Sequence, residues 1–438
     1  MSRRFSLHDS DFDARFAAFL AEDRDPQADV RDVVAQIIAD VRSHGDAALL
    51  AHTRRLDRVK AEQIEALRVP FSEIEAARAR CGQAELAALS VAAERISAFH
   101  QAQLPQDLQF DDDRGVGLGL RWRPIDSVGL YVPGGTAAYP SSLLMNALPA
   151  QVAGCKRLVM VTPTPDGQLN DLVLAAASLL GIGEIWRIGG AQAVAALTYG
   201  TAHVAPVDKI VGPGNAYVAE AKRQVFGKVG IDMIAGPSEI LVIADGRNDP
   251  DWIAADLLSQ AEHDAVAQSI LITDDADFAT AVSAAVQRLL PELPRHNIAA
   301  SAWRDHGAII VVDDVMRDAP ALANRIAAEH LQICVTDSEA LAAEIDHAGA
   351  IFLGAWTPEV IGDYVGGPNH VLPTNRSARF SSGLSVFDFM KRSTLLRCDA
   401  GNFAPLGQAA AALAHAEGLQ AHALAVEKRL ARLAGDGT

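Results

Sequence analysis

Cysteine and aromatic residues are scarce in this 438-residue chain. The four cysteines, Cys81, Cys155, Cys334 and Cys398, lie far apart and form no CxxC motif. This spacing argues against a disulfide framework and fits a reducing cytoplasm. Because aromatic residues are few, Ala, Val, Leu and Ile must supply the core, as is typical of an ordinary α/β enzyme.

Basic residues are also in deficit, with 38 Lys and Arg against 55 Asp and Glu, for a net charge of −17. A protein that holds phosphate backbones needs a basic stripe, so nucleic acid is an improbable partner. The short cluster of Arg54, Arg55 and Arg58 is interrupted by Asp57 and indicates a solvated helix face.

Long apolar runs are absent as well. No stretch approaches the ~18 consecutive apolar residues that a membrane span needs. The opening segment, MSRRFSLHDSDFDARF, has no apolar stretch after its arginines and is unlike a signal peptide. We therefore expect a cytoplasmic protein without a membrane partner.

Short apolar runs alternate with amphipathic segments over most of the chain. SVGLYV, RLVMVT and KIVGPGN predict strands, each followed by a segment with helical spacing, and SILITDD and AIIVVDD repeat the rhythm later. This alternation predicts two α/β domains with parallel sheets. Residues 1–24 and the alanine-rich residues 406–433 cannot bury an apolar face by themselves, so we expect them to dock onto another domain or subunit.

Three glycine-rich turns each end a predicted strand and open a helix: Pro133–Gly135, Gly189–Gly190 and Gly212–Asn215. Backbone N–H groups can face a phosphate at such turns. Tight α/β turns also need glycine for steric reasons, and no G-x-G-x-x-G fingerprint is present, so the turns alone leave nucleotide binding open.

Polar pairs mark further candidate sites. Gln260 and His263 are three residues apart, which on a helix lets both reach one ion, although a polar helix edge is the simpler interpretation. Glu329 and His330 are adjacent at a predicted helix end, where a histidine can take a hydroxyl proton near neutral pH. Taken alone, this pair is also explained as a common polar pair at a helix end.

The C-terminal third adds two more candidate segments. Asp363 and His370 lie in GDYVGGPNHVLPT, which predicts an irregular loop of the kind that often carries function. Glu417 and His422 are five apart, a spacing that does not share one face of a regular helix. The two residues either address different groups or flank a break at Gly418.

Taken together, these segments resemble the histidinol dehydrogenase family from about residue 30 to residue 430. The resemblance is carried, in order, by YVPGG, GGAQA, VGPGN, AGPSE, LLSQAEH, AAEHLQ, GDY, NHVLPT, RFSSGLSVFDF and AEGLQAH. Ten motifs in sequence order are far more specific than any one of them. The Asn375–Arg376 pair replaces a turn that is often glycine-rich in this family, and it has no assigned role.

The resemblance implies a two-step oxidation of L-histidinol to L-histidine through L-histidinal, the last step of histidine biosynthesis, with NAD and one Zn²⁺ per subunit. It implies that Glu329 and His330 handle protons. The implied zinc ligands are Gln260, His263, Asp363 and His422. These four residues and His330 also contact the substrate, and the further implied substrate contacts are Ser238, His370 and Glu417. The implied nucleotide contacts are Tyr131, Gln192 and Asn215.

The resemblance further implies a homodimer with active sites shared between subunits. Each subunit would have two α/β domains of incomplete dinucleotide-fold topology and two small helical arms. The expected parts are an N-terminal arm (1–24), a first α/β domain (25–130 with 237–384), a second α/β domain (131–236) and a C-terminal arm (385–438) that reaches the partner subunit.

Several alternatives remain open on the sequence alone. The nearest is a zinc- and NAD-dependent dehydrogenase of the same fold that acts on another small diol or amino alcohol. A cysteine-dependent aldehyde dehydrogenase would need a nucleophile motif that the scattered cysteines do not form. A zinc hydrolase would use no nucleotide, and a non-catalytic zinc-binding module would bind zinc without turnover.

Overall fold

The computed structural model describes residues 2–22, 24, 30–134, 139–234 and 236–435, which form 14 strands and 17 α-helices. The strands are β1 (Arg3–Ser6), β2 (Leu108–Asp111), β3 (Gly117–Pro124), β4 (Ser127–Tyr131), β5 (Arg157–Val161), β6 (Ile185–Trp186), β7 (Lys209–Val211), β8 (Gly230–Ile231), β9 (Glu239–Ala244), β10 (Gln268–Thr273), β11 (Ala308–Val311), β12 (His330–Cys334), β13 (Ala350–Leu353) and β14 (Met390–Arg397).

The helices follow the strands in alternation over most of the chain. They are α1 (Phe12–Leu20), α2 (Arg31–His44), α3 (Asp46–Leu56), α4 (Phe71–Ala77), α5 (Gln83–Gln101), α6 (Pro140–Ala153), α7 (Asp171–Leu179), α8 (Gly190–Tyr199), α9 (Ala216–Val225), α10 (Pro250–Ala261), α11 (Ala276–Leu289), α12 (His296–His306), α13 (Val315–Ile326), α14 (Ser338–Ala342), α15 (Glu359–Tyr364), α16 (Phe403–Ala416) and α17 (Gln420–Gly435). None of the described helices is long and apolar enough to cross a membrane.

The chain divides into two compact units, of which the first comprises Met1–Gln103 and Ile125–Phe389. This unit contains a six-stranded sheet of order β1-β11-β10-β9-β12-β13, in which every pair is parallel. All residues of β9 and β10 are buried, because helices cover both faces of the sheet. The parallel α/β architecture predicted from the alternation is thereby confirmed.

A second parallel sheet, of order β6-β5-β4-β7-β8, lies in the same unit. The helices of residues 31–101 pack onto the helices of this sheet, and Val34 and Leu49 share a hydrophobic core with Val159 and Ile210. The boundaries of the four expected domains stay a prediction.

The N-terminal residues complete the six-stranded sheet. Strand β1 pairs in parallel with β11, and Phe5, Phe12, Phe16 and Phe19 are buried together against the sheet. The sequence predicted only an N-terminal arm here, because a strand of four residues is too short to show a period.

The second unit comprises Leu104–Pro124 and Met390–Thr438. It contains a three-stranded antiparallel sheet of order β14-β3-β2 and the packed helices α16 and α17. The antiparallel sheet was not predicted from the sequence. The two helices are separated at Gly418, whose φ of 75° is left-handed, so the chain has the break that the sequence left as one of two alternatives.

Candidate active site

A cavity of about 390 Å³ lies in the first unit, a volume that suits a small-molecule substrate. One wall follows the carboxyl ends of the five-stranded sheet, with Gly212 after β7 and Asp232 after β8. The opposite wall comes from the amino ends of β9 and β12, with Ser238, Glu329 and His330. The cavity therefore lies where the two parallel sheets present opposite ends.

Glu329 and His330 reach the cavity because helix α13 ends before them. The helix stops at Ile326, and Ala327 takes a left-handed φ of 49°, which turns the chain into β12. His330 is thus the first residue of a central strand, in register with Ile240 of β9. The interpretation of the pair as a helix end was wrong, because Ala327 carries no signal of a helix stop.

His330 is 4% exposed, and its imidazole has polar contacts on both nitrogens. Its Nδ1 lies 3.0 Å from Gln260 Nε2 and 3.1 Å from the Glu239 carbonyl oxygen. Its Nε2 lies 3.4 Å from Asp363 Oδ1. The ring is therefore held in one orientation while its edge borders the cavity, as a proton carrier requires.

Buried carboxylates set the proton affinities around this ring. Burial alone would lower the pKa of His330, but the charges of Glu359, Glu329 and Asp363 outweigh it and raise this pKa well above the usual value. Burial also raises the pKa of Glu329 to about 7, against the opposing effects of His330 and of the Glu239 N–H, which Glu329 accepts at 3.0 Å. Both adjacent groups thus bind a proton more tightly than their exposed counterparts would, since both pKa values are raised.

Gln260 and His263 border the same cavity from the end of α10. The helix ends at Ala261, and the His263 N–H donates to the Gln260 carbonyl oxygen at 3.1 Å, so a tight turn keeps both side chains on one side. Burial lowers the pKa of His263, which favours the neutral imidazole that binds metals. The Gln260 Oε1 atom is buried without a hydrogen-bond partner.

Asp363 and His370 complete this cluster. Asp363 lies on the short helix α15, so the irregular loop predicted for this segment is wrong at Asp363. Burial would raise the pKa of Asp363, but the hydrogen bond and charge of His330 lower it. His370 Nδ1 lies 3.0 Å from the Asp363 carbonyl oxygen, and burial lowers the pKa of His370.

The donor set fits a zinc ion. Gln260 Oε1, the neutral imidazole of His263 and the ionised Asp363 border one cavity, and the unpartnered amide oxygen is an expensive feature unless a cation or water meets it. A second group of potential ligands also exists among the described residues. His330, Glu359 and Asp363 offer ligand atoms within 4.8 Å of one another.

The predicted nucleotide residues divide into two groups. Asn215 borders the cavity and also caps α9, since its side chain accepts the N–H groups of Tyr217 and Val218. Tyr131 and Gln192 are buried and do not border it. The Tyr131 hydroxyl oxygen accepts the Gly190 N–H at 3.0 Å, while both polar atoms of the Gln192 side chain lack partners.

The structure describes the turn at Gly212 in full, but the turn at Pro133–Gly135 only in part. Gly212 has a φ of 118°, and a Cβ at this position would lie 2.0 Å from the Tyr131 carbonyl oxygen, so only glycine fits. Its N–H donates to Asp232 Oδ2 at 2.8 Å, which fixes the turn. The predicted turn at Pro133–Gly135 ends in a residue, Gly135, that lies outside the described residues.

Glu417 and His422 belong to the second unit, where both are exposed. They flank the break between α16 and α17. The residues that border the cavity all belong to the first unit.

Two buried carboxylates near the site were not predicted from the sequence. Glu359 is 2% exposed and accepts a hydrogen bond from Gln260 Nε2 at 3.1 Å. Glu239 is buried and pairs with Arg24. Glu359 lies four residues before Asp363 and directly after Pro358, a spacing that places two carboxylates on one face of a helix and could have revealed it.

The Asn375–Arg376 pair takes a backbone that favours glycine. The φ angles are 51° and 62°, both in the left-handed region that glycine adopts without steric cost. Asn375 also lies where a Cβ on Gly236 would meet it, so the pair borders the segment that leads into β9.

Two parallel sheets and a cavity lined by histidines and carboxylates are the features of an α/β enzyme. The comparisons with known proteins make this specific. The family model described as histidinol dehydrogenase matches residues 20–430. The chain belongs to the histidinol dehydrogenase family and is an oxidoreductase.

Relatives named histidinol dehydrogenase are similar to this chain over almost its full length. The chain is 61% identical to a histidinol dehydrogenase of Rhodospirillum rubrum, with 99% of each chain covered. It is also 61% identical to one of Ruegeria pomeroyi, with 97% of this chain and 98% of the relative covered. A crystal structure of histidinol dehydrogenase from Elizabethkingia anophelis superposes with a TM-score of 0.93 at 37% identity, covering 99% of this chain and 98% of the other.

Proposed function

We propose that this chain oxidises L-histidinol to L-histidine through L-histidinal, in two NAD-dependent steps that end histidine biosynthesis. The full-length similarity to histidinol dehydrogenases supports this substrate. The observation that carries the proposal is the burial of Glu329 beside His330 at the cavity, with Gln260 and Asp363 in contact with the imidazole.

Gln260, His263 and Asp363 would hold one zinc ion, with His422 as the fourth ligand. The bound zinc supplies a template that holds the imidazole and amino nitrogens of the substrate. Asp363 and His263 contribute an ionised carboxylate and a neutral imidazole. Ser238 and His370 border the same cavity and would contact the substrate there, and Glu417 would suit its positive charge.

The chain's own residues carry the protons. His330 accepts the hydroxyl proton in the first oxidation, returns a proton to the aldehyde oxygen as water adds, and accepts a hydroxyl proton of the hydrated aldehyde in the second oxidation. Glu329 takes a proton from the water that hydrates the aldehyde between the two oxidations. A carboxyl group with a pKa of about 7 is suited to this task, because it is a stronger base than an exposed glutamate.

When bound, NAD would supply the hydride acceptor for each oxidation. Asn215 and the turn at Gly212 border the cavity and would face the nucleotide, with Tyr131 and Gln192 behind them. The unpartnered amide of Gln192 is a buried polar group that a nucleotide would satisfy after a local rearrangement.

A homodimer would bring Glu417 and His422 to the cavity of the partner subunit. The first unit leaves apolar side chains uncovered along its edge strand β13 and beyond, including Ile351, Leu353 and Trp356, which is 83% exposed. The second unit leaves Leu396 and Leu413 exposed. Exposed apolar side chains beside an unpaired edge strand are typical of an interface, and a second copy of the chain is the partner that fits the proposed site.

Turnover of the zinc-loaded protein with L-histidinol and NAD⁺ tests the function. We expect two NADH for each L-histidine formed, because both oxidations occur in one site. L-alaninol is the control, since it has the amino alcohol but no imidazole, and it should give no comparable turnover. One NADH with release of the aldehyde, or equal rates with L-alaninol, would contradict the proposal and favour a dehydrogenase of another small alcohol.

A further inference from the structure

Glu359 has no role in the proposed reaction, yet it is one of the most enclosed carboxyl groups near the cavity. It is the first residue of α15 and does not border the cavity itself. Its Oε1 accepts the Gln260 N–H at 3.1 Å and lies 3.5 Å from His330 Nδ1. The side chain therefore lies behind two residues of the site and acts only through them.

The amide of Gln260 is chemically asymmetric, and its orientation decides which atom the cavity meets. The nitrogen lies against His330 Nδ1 at 3.0 Å and against Glu359 Oε1 at 3.1 Å. The oxygen is left buried and without a partner on a residue that borders the cavity. An amide nitrogen carries no lone pair for a metal, so only this orientation makes Gln260 a ligand.

We propose that Glu359 is a positioning residue that fixes the Gln260 amide with its oxygen toward the metal. This inference rests on the zinc site of the proposed function. Groups that orient a ligand in this way typically change metal affinity by about 10–100-fold when they are replaced. Because Glu359 Oε1 accepts a hydrogen bond, it holds the amide nitrogen of Gln260 and leaves the amide oxygen pointing the other way.

A matched control lies on the same two elements as His330 and Gln260, β12 and α10. Gln332 Nε2 donates to Asp256 Oδ2 at 2.7 Å, so a second buried glutamine is fixed by a half-buried carboxyl group. Neither Gln332 nor Asp256 borders the cavity. Asp256→Asn therefore makes the same chemical change in a neighbouring pair without reaching the proposed ligand set.

The first test compares zinc affinity in Glu359→Gln and Asp256→Asn, by competition with a chromogenic zinc chelator. In Glu359→Gln the new amide can donate as well as accept, so the Gln260 amide is free to turn over. We expect zinc affinity to fall by about 10–100-fold in this variant and to stay unchanged in Asp256→Asn. The melting temperature of the zinc-free proteins reports any loss of folding separately.

A second test exchanges the amide and the carboxyl group between positions 260 and 359. A carboxylate at position 260 presents an oxygen in either orientation, so it no longer needs Glu359. Gln260→Glu alone places two carboxyl groups in contact and should weaken zinc binding, whereas Gln260→Glu combined with Glu359→Gln should bind zinc more tightly than Gln260→Glu alone. A purely structural role of Glu359 gives no such rescue. This comparison also decides the matter if Glu359→Gln alone fails to fold.

The outcomes separate this inference from the proposed function. If the wild-type chain binds no zinc, or if His263→Ala binds it with unchanged affinity, the zinc site itself is wrong. If His263→Ala loses zinc while Glu359→Gln keeps the wild-type affinity, only the role of Glu359 is overturned. The same conclusion follows if the double variant binds zinc no better than Gln260→Glu.

Discussion

Replacing His330 with asparagine lowers kcat for L-histidinol oxidation by about 10²–10⁴-fold while the protein keeps its zinc. The proposed reaction uses this imidazole as the proton acceptor in both oxidations. Asparagine retains a polar group near Gln260 Nε2 and the Glu239 carbonyl oxygen, so the local contacts of the ring are partly conserved. Steady-state rates of NADH formation and the zinc content of the purified variant measure the two effects.

A matched control separates the loss of a base from the loss of a buried histidine. His100 is also fully buried, with its Nδ1 2.8 Å from the Ile96 carbonyl oxygen, and it does not border the cavity. His100→Asn should therefore leave kcat unchanged in the folded protein. Near-normal turnover in His330→Asn would remove this residue from the base role. Loss of zinc in the same variant would instead make His330 a ligand, as in the group with Glu359 and Asp363.

Mixing two inactive variants restores activity if the sites are shared between subunits. In a heterodimer of His330→Asn and His422→Ala, one cavity combines an intact His330 with an intact His422 from the partner. Random reassortment makes half of the dimers mixed, and each mixed dimer has one intact site. We therefore expect about a quarter of the wild-type turnover after refolding the variants together, measured as NADH formation.

The control for this mixing uses two residues of one cavity. His330 and His263 both border the cavity of the first unit, so His330→Asn mixed with His263→Ala leaves no intact site in any dimer. We expect no recovery in this mixture. Recovery in the control, or none with His422→Ala in proven heterodimers, would contradict a site shared across the interface.

Much of the fold could be predicted because it depends on local patterns. The alternation of short apolar runs with amphipathic segments predicts parallel sheets, and the observed sheets are parallel wherever such units repeat. The antiparallel pairing of β3 with β14 could not be predicted, because it joins residues 117–124 to residues 390–397. No local period reports which distant strands will pair.

The site was predictable only in part, and for a physical reason. Gln260, His263 and His330 were identified from their residue types and from the family resemblance, and the structure brings all three to one cavity. The left-handed turn at Ala327, which moves His330 from a helix end to a strand, leaves no mark in the sequence because alanine is a good helix former. The spacing of Glu359 and Asp363 could have indicated a shared helix face, but not the contacts of Glu359 with Gln260 and His330, which come from two other elements.

The central claim is that zinc is held by Gln260, His263 and Asp363 with His422 of the partner subunit, and not by His330 with Glu359. Anomalous diffraction above the zinc edge, from crystals of the zinc-loaded protein, tests it most directly. The account predicts one peak per chain about 2.0–2.3 Å from Gln260 Oε1, His263 and Asp363 and from the partner's His422. A peak bonded instead to His330, Glu359 and Asp363 would contradict it.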